Sequence, residues 1–325
     1  MKSYWIKGVA NGTTTLELRD IPVPVPGPGQ LLLKVRATSL NRGDILATIA
    51  RHKADVARPG GVDAAGEVCA VGIGVTAFAV GDRVMARAKG SFSEYVLVES
   101  VLATLIPERL GWEQAAAVPI AFITAWEAMI QYGRIKAGEW LLVAGASSGV
   151  GVSCIQAGKY LGVKTIGVSR SAEKLQKLKD IGLDVAICAD STSFAPAVLE
   201  ATDGKGANVA VNLIGGTAFT ATQDALCDFG RLIVVGYVDG VMNANLNLEV
   251  VHAKRLEIAG ISNTPLTTAD RAKATAGFNR DFLPGLIDGL IRPMVDRVFA
   301  FDRLSEAKAY VESNALLGKV IVTLP

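Results

Sequence analysis

Ser147, Ser148, Gly149 and Gly151 lie between an apolar run, Trp140-Leu141-Leu142-Val143-Ala144, and a helix-forming stretch, Val152-Ser153-Cys154-Ile155-Gln156-Ala157. That order reads as strand, tight turn and helix. Small side chains in such a turn let backbone N–H groups approach a phosphate, and the helix start adds partial positive charge. Ala146-Ser147-Ser148-Gly149-Val150-Gly151 is thus a candidate pyrophosphate cradle, a G-x-G-x-x-G pattern with Ala and Ser at its first and third positions. Ser148, Gly149 and Val150 are the residues expected to line it. The competing reading is a tight turn that binds nothing. Gly151, Ile155 and Gly158 share one helical face, which lets the helix lie close against a sheet.

The next strand, Thr165-Ile166-Gly167-Val168, runs into Ser169-Arg170-Ser171, with Lys174 one helical turn on. An NAD site places Asp or Glu about 20 residues past the glycines, on the ribose hydroxyls. Here a hydroxyl and two cations, Ser169, Arg170 and Lys174, suit a 2′-phosphate instead. NADPH is the expected cofactor. Solvated charges at a helix end are the alternative for Arg170 and Lys174.

These residues need a scaffold, and its outline is legible. The chain has 325 residues, more than one hydrophobic core usually holds, so two domains are expected. Half the residues are apolar and a fifth charged, as in ordinary globular proteins. Lys and Arg number 33 against 31 Asp and Glu, interspersed, which gives no argument for nucleic acid or an anionic membrane. Four scattered cysteines and two histidines form no metal-ligand spacing. Met1-Lys2-Ser3-Tyr4-Trp5 lacks the apolar core of a secretory signal, and no apolar run reaches the roughly 18 residues of a membrane span. A cytoplasmic protein is expected.

The first third is rich in short strands and turns: Leu16-Glu17-Leu18, a connector with Pro22, Pro24, Pro26 and Pro28, then Leu31 to Ala37, Glu67 to Gly72, Arg83 to Ala86 and Phe92 to Val98. That texture predicts a small barrel-like domain. Near Trp112 it turns helical. From Trp140 strands and helices alternate, with strands at 140–144, 165–168, 185–187, 208–213, 231–235 and 256–260. Six such strands predict a parallel, doubly wound sheet. A helical stretch near 269–288 and a last strand, Gly318-Lys319-Val320-Ile321-Val322, follow.

Several motifs in this order carry a resemblance: Pro24-Val25-Pro26-Gly27-Pro28-Gly29-Gln30, Asn41-Arg42-Gly43-Asp44 as an N-x-x-D, Ala65-Gly66-Glu67-Val68, Gly81-Asp82-Arg83-Val84, Thr124-Ala125-Trp126, the nucleotide turn and Gly318-Lys319-Val320. With them the chain resembles the medium-chain dehydrogenases/reductases of the zinc-free quinone oxidoreductase type, the group that includes zeta-crystallin. The resemblance implies an α/β protein with a GroES-like catalytic domain from residues 1–119 and 264–325, a Rossmann NADP-binding domain over 120–263, and a homodimer. Zinc-dependent members carry a ligand Cys, a Gly-His-Glu and a four-cysteine lobe. Asn41 stands at the place of the Cys, Gly61-Val62-Asp63 at that of the Gly-His-Glu, and the lobe is missing, so no zinc is expected.

The resemblance also places Asn41 near the nicotinamide, Thr124 on its carboxamide side, Gly236 and Tyr237 along the cofactor cleft, and Asp44 beside the substrate. Asn41 and Asp44 read equally as caps of the helix that follows. The segment Ile45 to Pro59, with Arg51, His52, Lys53 and Arg58, lacks the tyrosines the family often has there, which implies an atypical acceptor pocket; His52 reads as a general acid or as a surface-loop histidine. Without a Lewis acid, hydride transfer to a quinone or an α,β-unsaturated carbonyl is the expected reaction. The alternatives are an enoyl-thioester reductase of the same fold and a non-enzymatic NADPH-binding protein.

Overall fold

The computed structural model describes residues 1–9, 13–45 and 56–325; Arg51, His52 and Lys53 lie outside the described residues. β1 (Lys2–Gly8) and β2 (Thr14–Asp20) form an antiparallel pair, with Tyr4 and Ile6 of β1 turned into the core. The proline connector leads into β3 (Gln30–Leu40), the axis of the first unit, where Leu31, Leu33, Val35 and Ala37 have no exposed surface. A short helix, α1 (Arg42–Ile45), follows it. Then come β4 (Arg58–Pro59), β5 (Asp63–Val71), β6 (Arg83–Arg87), β7 (Tyr95–Glu99) and β8 (Ala103–Leu105). Phe92, expected to open β7, instead precedes it and is fully buried.

Two helices, α2 (Trp112–Ala116) and α3 (Pro119–Trp126), follow, the second running on into a π-helical turn, Glu127–Tyr132. The alternating segment then forms β9 (Trp140–Ala144), α4 (Gly149–Tyr160), β10 (Lys164–Ser169), α5 (Ala172–Lys179), β11 (Val185–Cys188), α6 (Ala195–Ala201), β12 (Ala207–Asn212), α7 (Gly216–Asp224), β13 (Leu226–Val234), α8 (Leu248–Lys254) and β14 (Glu257–Gly260). Every pairing is parallel, in the order β11-β10-β9-β12-β13-β14. Leu142, Ala144, Ile166, Val168, Ala210 and Leu232 form its core, the continuous apolar strands that helix-covered parallel sheets require.

After β14 come α9 (Thr268–Asp281), α10 (Leu283–Asp288), β15 (Val295–Ala300), α11 (Leu304–Glu312) and β16 (Lys319–Thr323). β16 runs antiparallel to β3, Val320 opposite Leu40, and completes a sheet ordered β15-β16-β3-β5-β6-β8, with β7 also paired to β3. Two units result: Met1–Ile120 with Arg271–Asn279 and Pro293–Pro325, and Ala121–Asp270 with Arg280–Arg292. The fold is α/β, a GroES-like β-rich part and a Rossmann-type parallel sheet. Among the described residues no helix is long and apolar enough to cross a membrane.

The shared face of Gly151 and Gly158 does what its pattern predicts. A Cβ on Gly151 would lie 2.6 Å from the Gly145 carbonyl oxygen and 2.7 Å from that of Ala146, and one on Gly158 would lie 2.8 Å from the Thr165 methyl. Gly151→Ala therefore pushes helix α4 off the turn and is expected to cost about 1–3 kcal/mol. Gly260→Ala, where a Cβ meets open space, stays within about 0.5 kcal/mol of the parent. Urea midpoints for the two variants check the contrast.

Candidate active site

The turn between β9 and α4 departs from an all-glycine pattern for reasons its backbone shows. The left-handed residue is Gly145, at φ +94°, one position before the pattern begins. Ser148 sits at φ −73°, ψ 162°, where any residue fits, and caps α4 by accepting from Gly151 N–H at 3.1 Å. Its hydroxyl also donates to Gly145 O at 2.9 Å. Ala146 is fully buried and fits because Gly167, in the neighbouring strand, has no side chain to meet it. With Gly151 N–H committed to Ser148, the N–H groups of Gly149 and Val150 remain at the positive end of α4 for an anion.

Gly145 and Ala146 both donate to Val168 O, at 3.2 and 3.1 Å, so the turn is stitched to the end of β10. Ser169 and Arg170 follow at once, and Lys174 lies in the first turn of α5, whose cap is Ser171. The two sequence motifs thus form one surface, with an exposed guanidinium and half-buried hydroxyls in place of a carboxylate. On the other side of β9, Leu213 N–H donates to Ala144 O, at the point where the strand order reverses. Ligands of open α/β sheets sit at such switch points.

Beyond β12, Asn212 accepts from the N–H groups of Ile214 and Gly215 and donates to Gly215 O, folding the chain back on itself. Asp239 ties the loop after β13 to this one through the N–H and hydroxyl of Thr217. Burial pushes the Asp239 carboxyl up, but those bonds and the Val241 N–H outweigh it and hold the group below the usual range. Gly236 and exposed Tyr237 lie in this clamped loop. Thr124 is buried in α3.

Asn41 and Asp44 belong to the first unit, where they join a buried polar cluster. Asp44 accepts from the Asn41 backbone and side-chain nitrogens, at 3.0 and 3.1 Å, the helix-start role open to these residue types. The hub is Asp63, fully buried at the start of β5. Its Oδ2 takes hydrogen bonds from Ser39, Asn41 and Lys319, and its Oδ1 one from Ile120 N–H. Lys319, at the start of β16, is 5% exposed. Neither Asp63 nor Lys319 was singled out as a site residue, although a lysine heading an otherwise apolar strand is a visible signal of a buried countercharge.

This donor set does not fit a zinc ion. Asn41 offers an amide, and a dication at Asp63 would stand against the Lys319 ammonium. Among the described residues no group of three His, Cys, Asp or Glu could hold a metal.

Two family descriptions match the chain: the alcohol dehydrogenase GroES-like domain over residues 27–108 and the zinc-binding dehydrogenase domain over 149–274. The human synaptic vesicle membrane protein VAT-1 homolog is 29% identical over 325 residues, covering 94% of this chain and 82% of the relative. The highly reducing polyketide synthase gloL of Glarea lozoyensis is 28% identical over 308 residues; these are 92% of this chain but 12% of that one. The chain therefore spans only about an eighth of that synthase. Among solved structures, a mycobacterial protein, Rv1454c, complexed with NADPH superposes with a TM-score of 0.88 at 25% identity, covering 99% of both chains. A quinone oxidoreductase of Pseudomonas syringae pv. Tomato gives 0.85 at 26%, covering 99% of this chain and all of its own.

The cluster in the first unit has a measurable signature. Burial pushes the Asp44 carboxyl from 3.8 up to about 6, and Asp63 adds to this against the opposing Asn41 hydrogen bonds and Lys319 charge. A carboxyl raised on folding contributes its full stabilisation below its unfolded pKa and loses it as the pH rises through the folded one. Asp44→Asn removes that titration. Between pH 4 and pH 7.5 the urea-unfolding free energy of Asp44→Asn should gain roughly 2–3 kcal/mol on the parent. A constant difference across that range would refute the raised carboxyl.

Proposed function

Because the chain belongs to the medium-chain dehydrogenase/reductase family, we propose that it is an NADPH-dependent reductase that works without zinc and reduces a quinone or an α,β-unsaturated carbonyl. The observation that carries this reading is the end of β10, where Ser169-Arg170-Ser171 adjoins the phosphate turn with no carboxylate among them. A 2′-phosphate needs such a surface, and the NADPH complex of the mycobacterial relative supports the same cofactor. Ser169, Arg170 and Lys174 hold that phosphate; Ser148 shapes the turn, and Gly149 and Val150 hold the pyrophosphate. Thr124, Gly236 and Tyr237 serve the nicotinamide half, Asn41 the nicotinamide end and Asp44 the substrate.

NADPH, when bound, supplies a hydride from its nicotinamide ring. The chain's own part is to orient and to exclude water. With a lysine ammonium rather than a dication at Asp63, the fitting substrate is one electron-poor in itself. A second reading, an enoyl-thioester reductase, is favoured by the match to a segment of a polyketide synthase. We place the protein in the cytoplasm as a homodimer that pairs through the sheet edge at β14, where Ile258 is 41% exposed.

Arg170→Ala should weaken NADPH binding about 10- to 100-fold and leave NADH binding nearly unchanged, as read from cofactor fluorescence titrations. Equal parental affinity for the two cofactors would remove the NADPH assignment. Steady-state NADPH oxidation with quinones, enones and acyl thioesters separates the substrate readings. Turnover with quinones or enones is the expected result, thioester preference selects the second reading, and tight NADPH binding with no turnover identifies a non-enzymatic binding protein.

A further inference from the structure

Three charged groups hold the half-buried Asn41 side chain. Its Oδ1 accepts from the Lys319 ammonium at 2.6 Å, and its Nδ2 donates to Asp63 at 2.8 Å and to Asp44 at 3.1 Å. Lys319 lies 3.2 Å from Asp63 and also reaches Leu40 O at 3.5 Å. Ammonium nitrogens only donate and carboxylate oxygens only accept, so a flipped amide would face its NH2 to the ammonium and its oxygen to two carboxylates. One orientation is therefore allowed. Both N–H donors are used, and among the described residues the capacity left on the side chain is one lone pair of Oδ1.

We propose that Asp63 and Lys319 are positioning residues that lock the Asn41 carboxamide as a pure hydrogen-bond acceptor. Asn41 then takes a hydroxyl or N–H donor from cofactor or substrate, and it does not polarise the carbonyl that is reduced. The frame is geometric; the ligand role rests on the function proposed above. Stability alone does not require such an arrangement, because a buried ion pair can give way to neutral groups of like size without loss. The paired change Asp63→Asn with Lys319→Met keeps an acceptor for Ile120 N–H and removes both buried charges. It leaves Asp44 as the one charged group still orienting the amide.

The test uses full-length protein labelled with 15N-asparagine, the Asn41 side-chain signal being the one lost in Asn41→Asp. In the cofactor-free parent its amide protons should be shifted and slow to exchange with water. In the paired variant, where only the Asp44 bond is kept, they should exchange clearly faster than in the parent, and turnover should fall about 10- to 100-fold at a melting temperature close to the parent's. A freely exchanging Asn41 amide in the parent overturns the proposal, whether or not the paired variant folds. A stable paired variant with a parent-like amide signal or undiminished turnover overturns it too. If the amide behaves as expected but no acceptor is reduced by the parent, the frame stands and the functional reading alone fails.

Discussion

A lysine buried at the head of a strand of valine and isoleucine is tolerable only if a carboxylate meets it at the same depth. Lys319 and Asp63 meet this condition, and the first unit is arranged around their meeting. Asp63 opens β5, Lys319 opens β16, and Asn41 follows the last residue of β3. Sliding either neighbour along β3 by one residue would turn its side chains to the other face and leave a charge alone in the core. The ion pair therefore fixes register as much as it fixes Asn41.

The second unit follows a different rule. There the constraint is closeness of backbone, with α4 resting on the turn through Gly151 and on β10 through Gly158. That contact points the start of α4 at the ends of β9 and β10, where the cations gather. The departures from a plain glycine pattern are compensated locally: Gly145 takes the left-handed turn, Gly167 makes room for Ala146, and Ser148 contributes a cap that glycine could not.

The six parallel strands are legible because each carries an apolar stretch next to turn residues, and the candidate phosphate turn because strand, turn and helix are adjacent in sequence; β13 begins five residues earlier than Arg231 because Leu226-Cys227-Asp228-Phe229-Gly230 mixes charge with apolar residues. Strand β1 was missed, since Lys2-Ser3-Tyr4-Trp5-Ile6-Lys7-Gly8 mixes charge with apolar residues in a way that shows only when β2 lies beside it. Helix α7, with glycine, three threonines and few strong helix formers, forms between the capped loops of Asn212 and Asp239 rather than by propensity. Asp63 and Lys319 stood inside recognised motifs. Their pairing across 256 positions left no local signal beyond one charge in an apolar strand.

Strand β3 has two partners on one side, β7 along Gln30–Lys34 and β16 along Ala37–Leu40. The second of these comes almost the whole chain later, Leu40 and Lys319 being 279 positions apart. As the protein emerges from a ribosome, half of β3 must wait with an open edge and Asp63 must stay hydrated. Strands β9 to β14 find their pairing partners within one continuous stretch. The order of synthesis and the order of folding therefore differ: the parallel sheet can form first, and the first unit is the last to close.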